Sequence, residues 1–268
     1  MRPFLSLFVV VGFAAAAPAQ DWAKAKLEKS PRHGEWVKIK QGNREVQSFV
    51  VYPEVKEKAT AVIVIHEIFG LSDWAKLVAD EFAEAGYIAI APDLLSGTAP
   101  NGGGTAELAV GDIRKVISSL KPDQITADLK ACEEYVSKLP AANGKVAVAG
   151  FCWGGGQSFR YATNSKSIKA ALVFYGTGPT EDDEIKRIEC PVFGFYAQND
   201  ARVTATVQKT FNQFGSLRTK NNGFDFVTYS GAGHGFMRAG EDPMNKVDGN
   251  KTGRDEAWKR IKEVLKKV

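Results

Sequence analysis

The sequence predicts an α/β fold with a mostly parallel, doubly wound sheet and an antiparallel hairpin at its N-terminal edge. Three observations carry this. Apolar, β-branched runs recur at 61–65, 87–91, 145–149, 170–175, 192–197 and 224–229. Most are separated by stretches with apolar residues three and four apart, and strands alternating with helices build parallel sheets. Ahead of them, residues 36–40 and 46–52 flank Gln41-Gly42-Asn43, which is the pattern of a hairpin.

Each element has its own local reason. Residues 20–35 read as a polar lead-in. The run 61–65 is apolar without alternation, as in a strand buried on both faces. Ser72 suits the cap of a helix whose Trp74, Leu77, Val78, Phe82 and Ala85 share a face, and Gly86 suits its end. Residues 93–105, rich in Gly, Pro, Thr and Ser, read as a long loop. Its Gly102-Gly103-Gly104 lacks the Lys-Ser/Thr of a phosphate loop, which argues against nucleotide binding. Helices follow through to Leu139. Val207, Phe211 and Phe214 mark one later helix face, and Trp258, Ile261, Leu265 and Val268 mark the last.

Composition bounds the function. A chain of 268 residues with 44% hydrophobic and 25% charged residues can bury a substantial core. The 35 basic and 31 acidic side chains leave +4, spread without a run of like charges, so nucleic acid is not an expected partner. Arg2, the apolar stretch 4–17 and Ala17-Pro18-Ala19 form a cleavable export signal over residues 1–19. Residues 20–268 are then one domain in the periplasm or outside the cell. The apolar stretch is too short for a comfortable membrane span, so no stable anchor is expected. Three cysteines cannot all pair. Cys132 has the spacing of a buried helix position and Cys190 precedes Pro191 at a strand entry, leaving a Cys132–Cys190 bridge open. Cys152 has no cysteine three residues on, so a dithiol motif is not supported.

Chemistry gathers around Gly150-Phe151-Cys152-Trp153-Gly154-Gly155. It follows a buried strand and precedes a helix, the context of a nucleophile elbow with Cys in place of Ser. Ligands of such sheets bind beyond the carboxyl ends of the strands. Those ends carry His66-Glu67-Ile68-Phe69-Gly70, Cys152, Asn199-Asp200 and Gly233-His234-Gly235. Cys152, Asp200 and His234 thus come in the order nucleophile, acid, base. A free thiol titrates near about 8.5 and needs a base, which His234 can supply while a carboxylate fixes its tautomer. The backbone N–H groups of Ile68 and Trp153 stand where an oxyanion hole belongs.

His-Glu-Ile-Phe-Gly, Gly-Phe-Cys-Trp-Gly-Gly, Asn-Asp and Gly-His-Gly-Phe-Met-Arg together resemble the dienelactone hydrolase (carboxymethylenebutenolidase) family of α/β-hydrolases, from about Trp36 to the C-terminus. The resemblance implies the α/β-hydrolase fold, a small ester or lactone substrate, and no cofactor; a monomer is expected. It implies that Cys152, Asp200 and His234 are the triad and that Glu67 holds the resting thiol. Arg238 and Phe69 would contact substrate, Arg238 as one of two arginines that grip a carboxylate. The second should follow Asp93-Leu94, where this chain has Gly97. Neutral short-chain or aryl esters are therefore expected to serve at least as well as an anionic lactone, unless Arg114 or Arg202 replaces the missing cation. No metal site is expected from His33, His66 and His234. The rivals are a broad carboxylesterase and a non-catalytic binding protein of the same fold; no triad member is missing, as the latter would allow.

Overall fold

The computed structural model describes residues 20–217 and 223–268; the export signal expected over 1–19 lies outside the described residues. One eight-stranded sheet runs through the chain in the order β1-β2-β4-β3-β5-β6-β7-β8. Its strands are β1 (Gly34–Gln41), β2 (Arg44–Val51), β3 (Ala59–Ile65), β4 (Ile88–Pro92), β5 (Ala142–Phe151), β6 (Ala170–Phe174), β7 (Val192–Asn199) and β8 (Phe224–Gly233). β1 pairs antiparallel with β2 and β2 antiparallel with β4, while the other neighbours are parallel. The hairpin turns at Gly42-Asn43, with Gln41 opposite Arg44 and Gly42 at φ +57°.

The helices are α1 (Asp21–Leu27), α2 (Asp73–Glu84), α3 (Val110–Ser119), α4 (Pro122–Ser137), α5 (Trp153–Ala162), α6 (Asp182–Lys186), α7 (Ala201–Leu217), α8 (Phe236–Ala239) and α9 (Asp248–Leu265). Alternation along β3 separates two cores. Val62 and Val64 face α1, α2 and α9, whereas Ala61, Ile63 and Ile65 face α4, α5 and α7. All seven residues of β3 are buried, as an unalternating strand between two helix layers must be. Ser72 Oγ accepts from Ala75 N at 3.4 Å, but the cap is the smaller effect. A good cap is worth about 1 kcal/mol, whereas burying Trp74, Leu77, Val78 and Phe82 gains about 1.5–3 kcal/mol each.

One reading is corrected by the fold. The lead-in contains α1, whose Ala23 is fully buried against α2 and whose preceding Gln20 side chain accepts from Trp74 N at 3.0 Å. Its short amphipathic pattern is too brief to register in sequence, and packing supplies what propensity does not. The long loop read over residues 93–105 follows β4, with short 3-10 turns at Pro100–Gly102 and Thr105–Glu107. Asp93 takes hydrogen bonds from Leu95 N, Thr105 N and Thr105 Oγ1 at 3.0, 2.7 and 2.7 Å, closing the loop on itself. Cys132 and Cys190 are both buried free thiols.

Candidate active site

β5 ends in the elbow. Cys152 has φ +55° and ψ −116°, a conformation disfavoured for any residue with a Cβ and stored at functional turns. The turn is this tight because its glycines let backbone meet backbone. A Cβ on Gly150 would run into Gly154 O, and one on Gly154 into the carbonyls of Ile65 and His66. α5 therefore starts directly against the end of β3, which brings the thiol beside the 66–70 segment.

The other predicted residues converge there. Asp200 leaves β7, offers Oδ1 to Val203 N at the start of α7 at 3.5 Å, and keeps Oδ2 for His234 Nδ1 at 2.5 Å. His234 leaves β8, its loop tied to α9 by Gly233 N donating to Asn250 Oδ1 at 2.8 Å. With Nδ1–H donating to the carboxylate, Nε2 is the free acceptor, and it lies 3.1 Å from Cys152 Sγ. Asp200 is 7% exposed and the His234 side chain 35%, so the acid is covered and the imidazole edge is reachable.

Burial, and then the Glu67 charge, push the Cys152 thiol up to about 11. The backbone N–H groups of Trp153 and Ile68 and the charge of Arg202 act the other way. Both predicted oxyanion donors thus act on the sulfur. With the thiol raised, the resting sulfur is protonated at neutral pH and needs its neighbouring base.

Glu67 differs from the expectation that it holds the thiol. Its Oε2 accepts from Arg238 Nε at 2.8 Å and its Oε1 from the Tyr175 hydroxyl at 3.4 Å, while the thiol faces His234. Burial tends to lower the Arg238 pKa, and Glu67 more than offsets it, so the guanidinium stays charged. Two guanidinium groups lie over Phe69, Arg238 at 5.2 Å and Arg114 of α3 at 5.4 Å from its ring centroid. Trp153 stacks on His66 at 5.4 Å, and the buried His66, whose pKa burial lowers, donates Nδ1–H to Glu67 O at 2.8 Å.

Gly97 is elsewhere. It lines a concavity of about 780 Å³ between the hairpin and the loop, with Lys38, Lys40 and Arg44. Its φ of +77° also makes an arginine there strained. Tyr175 was missed in sequence although it follows β6, the same kind of position as the others. Its signal is Phe174-Tyr175-Gly176 at a strand's carboxyl end, which no motif single-handedly distinguishes from core. Among the described residues, no group of three or more His, Cys, Asp or Glu side chains is placed to hold a metal ion.

This chain is similar in sequence to curated proteins and in fold to solved structures. A carboxymethylenebutenolidase-like protein of Yersinia pestis is 32% identical over 187 residues, covering 65% of this chain and 67% of its own. One from Saccharolobus solfataricus is 28% identical, covering 84% and 95%. A dienelactone hydrolase structure from Anabaena variabilis superposes with a TM-score of 0.63 at 16% identity, covering 84% of this chain and 96% of its own, and bears on the fold alone. The profile described as "Dienelactone hydrolase family" matches residues 46–268. The chain belongs to the dienelactone hydrolase family of hydrolases, whose members act on esters and lactones.

Proposed function

We propose that this hydrolase cleaves a small carboxylic ester or lactone through a thioester on Cys152. The observation that carries it is the unbroken line from Asp200 through His234 to the thiol, at 2.5 and 3.1 Å. His234 Nε2 takes the thiol proton as sulfur attacks the carbonyl carbon. The new oxyanion meets the N–H groups of Ile68 and Trp153, and Asp200 stabilises the imidazolium. Collapse breaks the C–O bond, and the leaving oxygen takes the proton from His234. Water, deprotonated by His234, then attacks the thioester and returns the thiol.

The test is turnover of p-nitrophenyl acetate by the purified chain, with quenched reactions searched for an acyl group on the Cys152 peptide. No acyl group despite turnover would rule out the thioester, and no turnover across an ester and lactone panel would favour a non-catalytic binding protein.

A second reading, a broad carboxylesterase of neutral esters, rests on Arg238 being already paired with Glu67. Among the residues around Phe69, Arg114 is then the cation available to an anionic substrate. A matched acid and methyl ester decide between the readings.

We also propose that residues 20–268 act as one exported domain, as a monomer and without a cofactor. The apolar stretch 4–17 before Ala17-Pro18-Ala19 supports export. The exported species should begin at Gln20 by intact mass, and retention of Met1 would remove the claim.

A further inference from the structure

Tyr175 leaves β6 at φ +39°, a conformation that is an outlier for a bulky residue and persists only where its surroundings over-determine it. They do so here. The next residue, Gly176, meets the backbone of Gly155 and Gly156 so closely that a Cβ would collide with it. Tyr175 N donates to Phe195 O at 2.9 Å. The ring, 1% exposed, is wedged edge-on against His234 at 5.1 Å and Phe236 at 5.4 Å. The strained backbone and the packed ring together aim the hydroxyl at one target, Glu67 Oε1.

Glu67 is 3% exposed and has a thiol, an arginine and this phenol around it. After burial, its charge is the next influence opposing ionisation of Cys152, so the place of the carboxylate bears on the thiol. We propose that Tyr175 is a positioning residue: its phenol keeps the Glu67 carboxylate on Arg238 and off the Cys152 thiol, which is thereby left to His234. Burial, and then Glu67, raise the phenol's pKa well above its ordinary value, so it remains a donor throughout the working range. At 3.4 Å the bond is long for O–H···O, and it is the wedged ring that prevents the hydroxyl from turning elsewhere. The consequence for turnover rests on the thioester reading, but the effect on the thiol does not.

Tyr175→Phe keeps the ring and deletes the donor. The readout is the rate of Cys152 alkylation by iodoacetamide from neutral to alkaline pH, followed on the Cys152 peptide. The profile should move to higher pH, with the neutral-pH rate falling roughly ten-fold as Glu67 is freed toward sulfur. In a Glu67→Gln background the same change should alter the rate less than about two-fold, because the charge it controls is gone. An unmoved profile for Tyr175→Phe, or an equal fall in both backgrounds, overturns the proposal. Should Tyr175→Phe fold poorly, Glu67→Gln alone must move the profile to lower pH, and no movement removes the premise and the proposal with it. A shifted profile in a protein without esterase activity supports the role of Tyr175 and sinks the thioester reading instead.

Discussion

Two buried carboxylate–arginine assemblies flank the same short segment, and they serve different ends. Before α8 and on it, Glu67 and Arg238 pair at 2.8 Å beside a strained cysteine and a strained tyrosine. Just after it, Glu241 joins Glu81 of α2, Arg254 of α9 and Lys26 of α1, with Lys26 Nζ 2.5 Å and Arg254 3.2 Å from Glu241. Arg254 also pairs with Glu81, and Trp74 Nε1 donates to Glu241 at 3.2 Å. The second assembly welds three helices and holds no residue among the positive-φ set. Buried ion pairs alone therefore do not mark a site. What sets the candidate site apart is a thiol, an imidazole and strained backbone in the same place.

Substitutions can break that distinction. The largest effect is expected from Cys152→Ala, which should lose on the order of 10³-fold or more in turnover with Tm nearly unchanged. Residual activity above about a tenth of wild type would move the nucleophile elsewhere. Arg254→Met is the converse. It leaves the buried Glu81 and Glu241 with Lys26 alone, costing up to roughly 3 kcal/mol. That is roughly 6–12 °C in Tm by thermal melting. Its kcat should stay within about two-fold of wild type, since the cluster does not touch the reacting atoms. A large loss of kcat in folded Arg254→Met would mean that the two assemblies act as one.

Smaller changes sharpen the comparison. Arg114 lies against Phe69 as an exposed cation, and a charge-assisted hydrogen bond from it to substrate is worth about 1.5 kcal/mol at the lower end. Arg114→Gln should lower kcat/KM for an anionic ester about ten-fold and leave its methyl ester nearly unchanged. Equal effects on both would show a packing role. The last change concerns pH. Burial, and then Glu241, raise Glu81 to about 8 from an ordinary 4.5. Between these values the folded state holds a proton that the unfolded chain has lost. This contribution to stability is full below about pH 4.5 and is lost as pH rises through about 8. Tm should decline over that window, and the decline should flatten in Glu81→Gln. An unchanged slope would place the proton elsewhere in the cluster.

The α/β layering was legible because period and run length are local properties. Short, β-branched apolar runs bounded by caps and glycines read as strands covered on both faces. The elbow was legible for the same reason: Gly150, Gly154 and Gly155 are needed within a few residues of Cys152. The helix α1 was not, because seven residues carry too little pattern and are held by α2, whose Trp74 N meets Gln20, 54 residues away.

By itself, the sequence determined the fold class, the family and which residues stand at strand ends. It placed a thiol, a carboxylate and an imidazole in chain order. Tertiary structure decided the pairings, which depend on distances between residues far apart in the chain. It set Glu67 on Arg238 and Tyr175, 171 and 108 residues away, with the thiol left to His234. It brought Arg114 of α3 to Phe69 and sent Gly97 to the hairpin groove. Motifs record which groups a turn can carry; only the packing of strand ends against each other fixes which of those groups meet.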